Sequence, residues 1–150
     1  MSRRIQVQGT NLTRDEQIIQ LNSTVKCRLG QSKIQGVGVI ALYDIKRGQK
    51  LYCTPNPETH GKFYNLAYSD LSKLFPEIRD LILERWPSII NGSVFQNPND
   101  DAWLILFMNH QIPANYDPST DTALEDIPAG HEVYEDYSTM VNAKEVYKFL

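Results

Sequence analysis

The sequence predicts a mainly β domain with a helical insert, and three observations point to it. Val25, Cys27 and Leu29 alternate with polar residues, as a half-buried strand requires. Between Tyr68 and Trp86 the spacing changes: Leu71, Leu74, Phe75, Ile78, Leu81 and Ile82 recur at helical steps of three and four. The third observation is an internal echo. Residues 41–52, ALYDIKRGQKLY, align without gaps to residues 123–134, ALEDIPAGHEVY. The shared Ala, Leu, Asp, Ile, Gly and Tyr fall where a strand, a tight turn and a return strand need them, with glycine supplying the turn's backbone angles. A unit that occurs only twice excludes a solenoid.

Taken in order, residues 1–12 show no period and suit a loose arm or an added edge strand. Thr13-Arg14-Asp15-Glu16 has capping-box form before Ile18, Ile19 and Leu21, which predicts a short helix near 14–21. Residues 1–24 are thus an N-terminal arm and 25–150 the main domain, with a helical insert at about 54–100. After the strand at 25–29, Gly36-Val37-Gly38 opens a second run through Tyr43. Asp44 to Gly48 makes a turn, and residues 49–53 return as a strand. Thr54-Pro55-Asn56-Pro57 breaks the sheet, and Pro76 starts a second helix within the helical stretch. Asn91-Gly92 signals a hairpin between 88–90 and 93–95, followed by a loop at 96–101. The apolar run from Trp103 to Met108 suits a buried strand or a short helix, and periodicity does not arbitrate.

The 150 residues fit one domain, and the 41% apolar and 22% charged fractions are ordinary for a soluble globular chain. No apolar run approaches the roughly 20 residues that span a bilayer. The basic start Met1-Ser2-Arg3-Arg4 leads into polar residues rather than a signal-type apolar stretch, so an intracellular protein without a membrane partner is expected. Cys27 and Cys53 are expected as reduced thiols, and His60, His110 and His131 lack the spacing of a zinc site, so no metal is expected. The net charge of −3 is unevenly spread. Arg3, Arg4, Arg14, Lys26, Arg28, Lys33, Lys46, Arg47 and Lys50 crowd the first third, whereas no Lys or Arg lies between Arg85 and Lys144. That stretch carries Asp100, Asp101, Asp117, Asp121, Glu125, Asp126, Glu132, Glu135 and Asp136. It disfavours direct nucleic-acid binding and suits a basic protein partner, although solvated loops give the same pattern.

Singly, the chemical motifs have plain structural explanations. Gly36-Val37-Gly38 lacks the third glycine and distant acid of a dinucleotide site and suits a bulge. Asn109-His110 suits a satisfied polar pair at an element end. Together and in order they resemble the SET family of protein-lysine methyltransferases. Ser32-Lys33-Ile34-Gln35-Gly36-Val37-Gly38-Val39-Ile40-Ala41, with Asp44-Ile45 and Gly48, is similar to the amino-terminal SET motif. Phe107-Met108-Asn109-His110, then Asn115, Ala123, Asp126-Ile127, Gly130, Glu132-Val133 and Asp136-Tyr137, is similar to the carboxy-terminal one. The resemblance spans residues 25–137, with 54–100 as the variable insert.

The resemblance implies a SET-type fold of several small sheets with a C-terminal pseudoknot, S-adenosyl-L-methionine as cofactor, and a protein lysine entering from the opposite face. It implies that Gly36, Val37 and Gly38 line the cofactor, that Asn109 and His110 hold it, and that Tyr137 is catalytic and stands beside the transferring methyl. Tyr64, Tyr134 and Glu135 are candidates for the substrate channel. Methyl transfer needs a neutral amine, while lysine titrates near about 10.4 in water; a dry aromatic channel and a cationic cofactor both favour the neutral form. The chain departs from the family at Gln111-Ile112, at the short join from Asn115 to Ala123, and at Glu135, where many members place an aromatic residue that limits methyl number. The resemblance is to members without a zinc-binding tail, so Val146, Tyr147, Phe149 and Leu150 are expected as candidates to close the channel. A second reading, a SET-derived binding module that keeps the fold without turnover, accommodates these departures.

Overall fold

In the computed structural model, residues 9–86, 93–99, 103–139 and 145 are described. The mainly β architecture with a helical insert is present. A four-stranded sheet runs in the order β1 (Cys27–Gln31), β2 (Val37–Ala41), β8 (Glu132–Glu135), β5 (Asn109–His110). Its first three strands are antiparallel neighbours, while β5 joins β8 in parallel, Asn109 opposite Tyr134 and His110 opposite Glu135. Two small two-stranded sheets accompany it: β3 (Phe63–Leu66) with β4 (Ser93–Gln96), and β6 (Tyr116–Asp117) with β7 (Thr122–Ala123).

The described residues build two cores. The first joins α1 (Arg14–Thr24) to the insert: Ile18 and Leu21 pack with Tyr64, Leu66, Phe95 and Ile78 and Ile82 of α2 (Pro76–Arg85). Polar side chains of α1 reinforce the join. The Gln17 side chain accepts from the Asn65 backbone N–H, Gln20 from the Tyr64 hydroxyl, and Thr24 from the Asn97 amide. The capping box at Thr13 and Glu16 forms as the sequence predicts, and α1 runs to Thr24 rather than stopping near 21. A 3-10 turn at Tyr68–Lys73 precedes α2, whose first residue is Pro76. The strand at Ser93–Gln96 pairs with Phe63–Leu66, a long-range partner that turn chemistry does not reveal. The Asn91-Gly92 turn and residues 88–90 lie outside the described residues.

The second core belongs to the sheet and the echo. Cys27, Val39, Ala41, Ile45, Leu51, Cys53, Met108, Tyr116, Ile127 and Val133 are buried together. The two echoed units pack face to face about a local two-fold. Ile45 and Ile127 exchange both backbone hydrogen bonds at 2.8 Å, and Gly48 N–H on Ala123 O is mirrored by Gly130 N–H on Ala41 O, also 2.8 Å. Asp44 accepts from Ala129 N–H and Asp126 from Arg47 N–H, both at 2.9 Å. Gly48 and Gly130 sit at φ 84° and 81°, the left-handed region that the turns require. The expected return strand at 49–53 reduces to an isolated bridge from Lys50 to Thr122, because Tyr52 at φ 56° turns the chain out of extended geometry. The run after Trp103 is a 3-10 turn, Leu104–Phe107, which resolves the ambiguity between strand and helix.

Candidate active site

The parallel pairing of β5 with β8 brings residues from both sequence motifs to one place. Asn109 is the clamp. Its amide nitrogen stands 3.0 Å from Ser32 Oγ, 3.2 Å from Gln35 O, 3.2 Å from Val37 O and 3.0 Å from Glu132 Oε2. Two N–H groups thus hold the loop before β2 against β8. Ser32 donates to the Glu132 carboxylate at 2.8 Å and receives the N–H groups of Ile34 and Gln35, which shapes the loop that ends in the glycines. Asn109 therefore meets the glycine motif, but with its donors committed to protein acceptors rather than free for a ligand.

The two glycines have different reasons to be glycine. Gly36 lies at φ +51°, and a Cβ added there would have no atom within 4 Å, so it is a backbone requirement beside open space. Gly38 has no such conformational demand. A Cβ there would lie 2.6 Å from Glu132 Oε2 and 3.1 Å from the Asn109 amide, so the clamp itself excludes a side chain.

His110 and Tyr137 form the second half. The Tyr137 backbone N–H donates to His110 Nδ1 at 2.9 Å, and the two rings lie 5.1 Å apart. A nitrogen that accepts an N–H carries no proton, so the 3.9 Å approach of Asp136 to the same atom is not a charged hydrogen bond. The Tyr137 hydroxyl donates to Met108 O at 2.6 Å. Together Gln35, Gly36, Val37, Phe107, Asn109 and Tyr137 line a hollow of about 350 Å³.

On the other face of β8 a larger cavity, about 980 Å³, is lined by Leu106, Ile112, Tyr116, Leu124, Glu135 and Asp136 among others. Leu106 borders both spaces. Glu135 is 3% exposed, and burial alone pushes its carboxyl up to about 7. The three channel candidates do not converge here. Tyr64 is buried in the α1–insert core, stacked on Phe95 at 5.7 Å, and does not line this cavity. Tyr134 alternates to the opposite face from Glu135 and borders a small hollow with Lys33 and His131. Only Glu135 of the three lines the large cavity. The C-terminal candidates Val146, Tyr147, Phe149 and Leu150 lie outside the described residues.

Two positions of the carboxy-terminal motif have roles that sequence reasoning did not assign. Glu132 stands in the motif without a stated role, yet it is 6% exposed and anchors Ser32, the Lys33 N–H and Asn109. Asn115 pairs with β8 through its side chain, donating to Glu132 O at 2.9 Å and accepting from Tyr134 N–H at 2.8 Å. It thereby substitutes for a neighbouring strand. The motif contained Asn115; nothing local told of its partner.

No protein-family model and no curated protein matches the chain. Among solved structures, the Neurospora SET domain protein DIM-5, a histone lysine methyltransferase, aligns at 18% identity and a TM-score of 0.36. The alignment covers 90% of this chain and 61% of that protein's chain. Among the described residues no helix is long and apolar enough to cross a membrane.

Proposed function

We propose that this chain transfers methyl groups from S-adenosyl-L-methionine to the side-chain amine of a protein lysine, as a SET-type enzyme. The observation that carries the reading is the meeting of two distant motifs at one hollow. Asn109 ties the loop of Gly36 and Gly38 to β8, and His110 fixes the backbone of Tyr137 beside it. A random pair of motifs has no reason to be joined by side-chain hydrogen bonds.

The residues present fit such a cofactor. A hollow of about 350 Å³ falls within the range of small-molecule sites, roughly 300–1,000 Å³. Gly36 leaves its backbone open to close approach, and Phe107, 42% exposed, adds an aromatic side chain to the lining. When bound, the cofactor supplies an electrophilic methyl on a cationic sulfur. Gly36, Val37 and Phe107 would line it, while Asn109 and His110 act as positioning residues through the contacts above. Tyr137 directs its hydroxyl proton at Met108 O, and its oxygen is the atom proposed to accept weak C–H···O contacts from the methyl. The same bond fixes the ring, and orientation is a large part of any two-substrate reaction. The large cavity beyond Leu106 is the proposed route for the lysine.

Radiolabelled S-adenosyl-L-methionine, incubated with the protein and a panel of basic proteins, tests the reading. Label on lysine from the parent, reduced at least tenfold in Tyr137→Phe with cofactor binding retained by calorimetry, is expected. Cofactor binding without transfer would shift the assignment to a binding module. Absence of both binding and transfer would overturn it.

A further inference from the structure

The strand β8 carries two buried carboxylates, and they differ in one respect. Glu132 is surrounded by donors: the Ser32 hydroxyl, the Lys33 N–H and the Asn109 amide. Glu135 has none. No hydrogen bond or ion pair reaches its carboxylate among the described residues, although only 3% of the residue is exposed. Buried polar groups in folded proteins are almost always paired, and a buried charge is costly until a counter-ion meets it. Glu135 lines the cavity of about 980 Å³, so the partner it lacks can arrive from outside.

The rest of the cavity says what that partner is. Leu106, Ile112 and Leu124 line it with side chains 69%, 66% and 45% exposed, an apolar surface suited to an alkyl stem. The other ionisable groups described at the wall each have a protein partner, Asp117 and Asp136 through Oδ1 alone. Asp117 and Asp136 are held by Ser119 and Ser138, which lowers both carboxyls, and the Tyr116 hydroxyl is bonded to Asp121. His110, near Asp136, is engaged by the Tyr137 N–H. Among the described residues no Lys or Arg lines the cavity.

We propose that Glu135 is the recognition residue of this cavity for a primary alkylammonium group, the end of a lysine side chain whose stem lies on Leu106, Ile112 and Leu124. The identification of that amine as a substrate lysine rests on the function proposed above; the ammonium site itself does not.

The test uses n-butylammonium as the probe, n-butanol as its uncharged match, and heteronuclear NMR titration of the whole chain at pH 8. Butylammonium is expected to bind with shifts at Leu106, Ile112 and Leu124, and at least tenfold more tightly than butanol. Glu135→Gln, which keeps shape and loses charge, is expected to remove that tenfold preference. In the parent, the Glu135 carboxyl followed by carbon NMR should titrate lower when butylammonium is present, a readout independent of any variant's folding. Equal binding of the two probes, unchanged binding in Glu135→Gln, or a carboxyl indifferent to the amine would each overturn the proposal. None of these needs S-adenosyl-L-methionine, so failed methyl transfer leaves the result standing. A failure here likewise leaves cofactor binding to its own assay.

Discussion

Gly38→Ala isolates the clamp at the centre of the candidate site. The position has no unusual backbone angle, so alanine alone would be tolerated or slightly stabilising in β2. The obstacle is spatial: the new Cβ meets Glu132 Oε2 at 2.6 Å and the Asn109 amide at 3.1 Å. A glutamate tip normally swings aside at little cost. This one cannot do so without releasing Ser32, Lys33 N–H and Asn109 together. Overpacking of this kind costs about 1–3 kcal/mol, and a strained hydrogen bond to a charged group adds within the same range. We expect about 2 kcal/mol, read as a lower urea midpoint with an unchanged slope, followed by circular dichroism. The decisive measurement is the double-mutant cycle with Glu132→Ala. Removing the carboxylate makes room, so Gly38→Ala should then cost less than about 0.5 kcal/mol, a coupling of at least about 1 kcal/mol. Equal costs in the two backgrounds would refute the argument.

The local two-fold makes a paired prediction: Asp44→Ala and Asp126→Ala should each cost about 1 kcal/mol and agree within about 0.5 kcal/mol in thermal unfolding. Burial raises the folded Glu135 carboxyl to about 7, above its unfolded value near about 4.3. The folded state therefore holds the extra proton between those limits, and stability is greatest below the unfolded value and falls as pH rises through about 7. Glu135→Gln should flatten that fall, by on the order of 2 kcal/mol between pH 4 and pH 8, in urea unfolding series at several pH values. Cys27 and Cys53 are both fully buried, and the Cys53 thiol is pushed upward by its hydrogen bond to Cys27 and by burial. A chromogenic disulfide reagent should leave both unlabelled in the native protein and label both in urea.

Local features were the most legible. The capping box at Thr13 and Glu16, the start of α2 at Pro76 and the two glycine turns all formed where neighbouring residues specify them. The echo was legible too, and four of its six shared residues, the Ala, Asp, Ile and Gly, meet across the two-fold. What it did not tell was that the two units would pack on each other. Long-range contacts were hidden. Nothing near Phe63 names Ser93–Gln96 as its partner, and no pattern in Tyr64 separates a channel wall from the α1–insert core. Tyr52 at φ 56° was equally invisible, since the non-glycine residue gives no sign of the left-handed angle that ends the expected strand.

The same limit explains why the two glutamates of β8 looked alike in sequence and differ in space. Four residues of a strand present Glu132 and Tyr134 to one side, Val133 and Glu135 to the other. On the first side a loop reached back across the chain, and Ser32, Lys33 and Asn109 compensated the charge. On the second side the neighbours are apolar or already engaged, so no protein donor among the described residues offsets the cost of charging Glu135. A fold gains nothing in stability from an unpaired carboxylate there; a glutamine or leucine would serve packing better. The charge makes physical sense when its counter-ion belongs to another molecule, since the desolvation already incurred then strengthens the contact on arrival. Glu132 is thus the carboxylate that holds the site together, and Glu135 the one left open for what enters it.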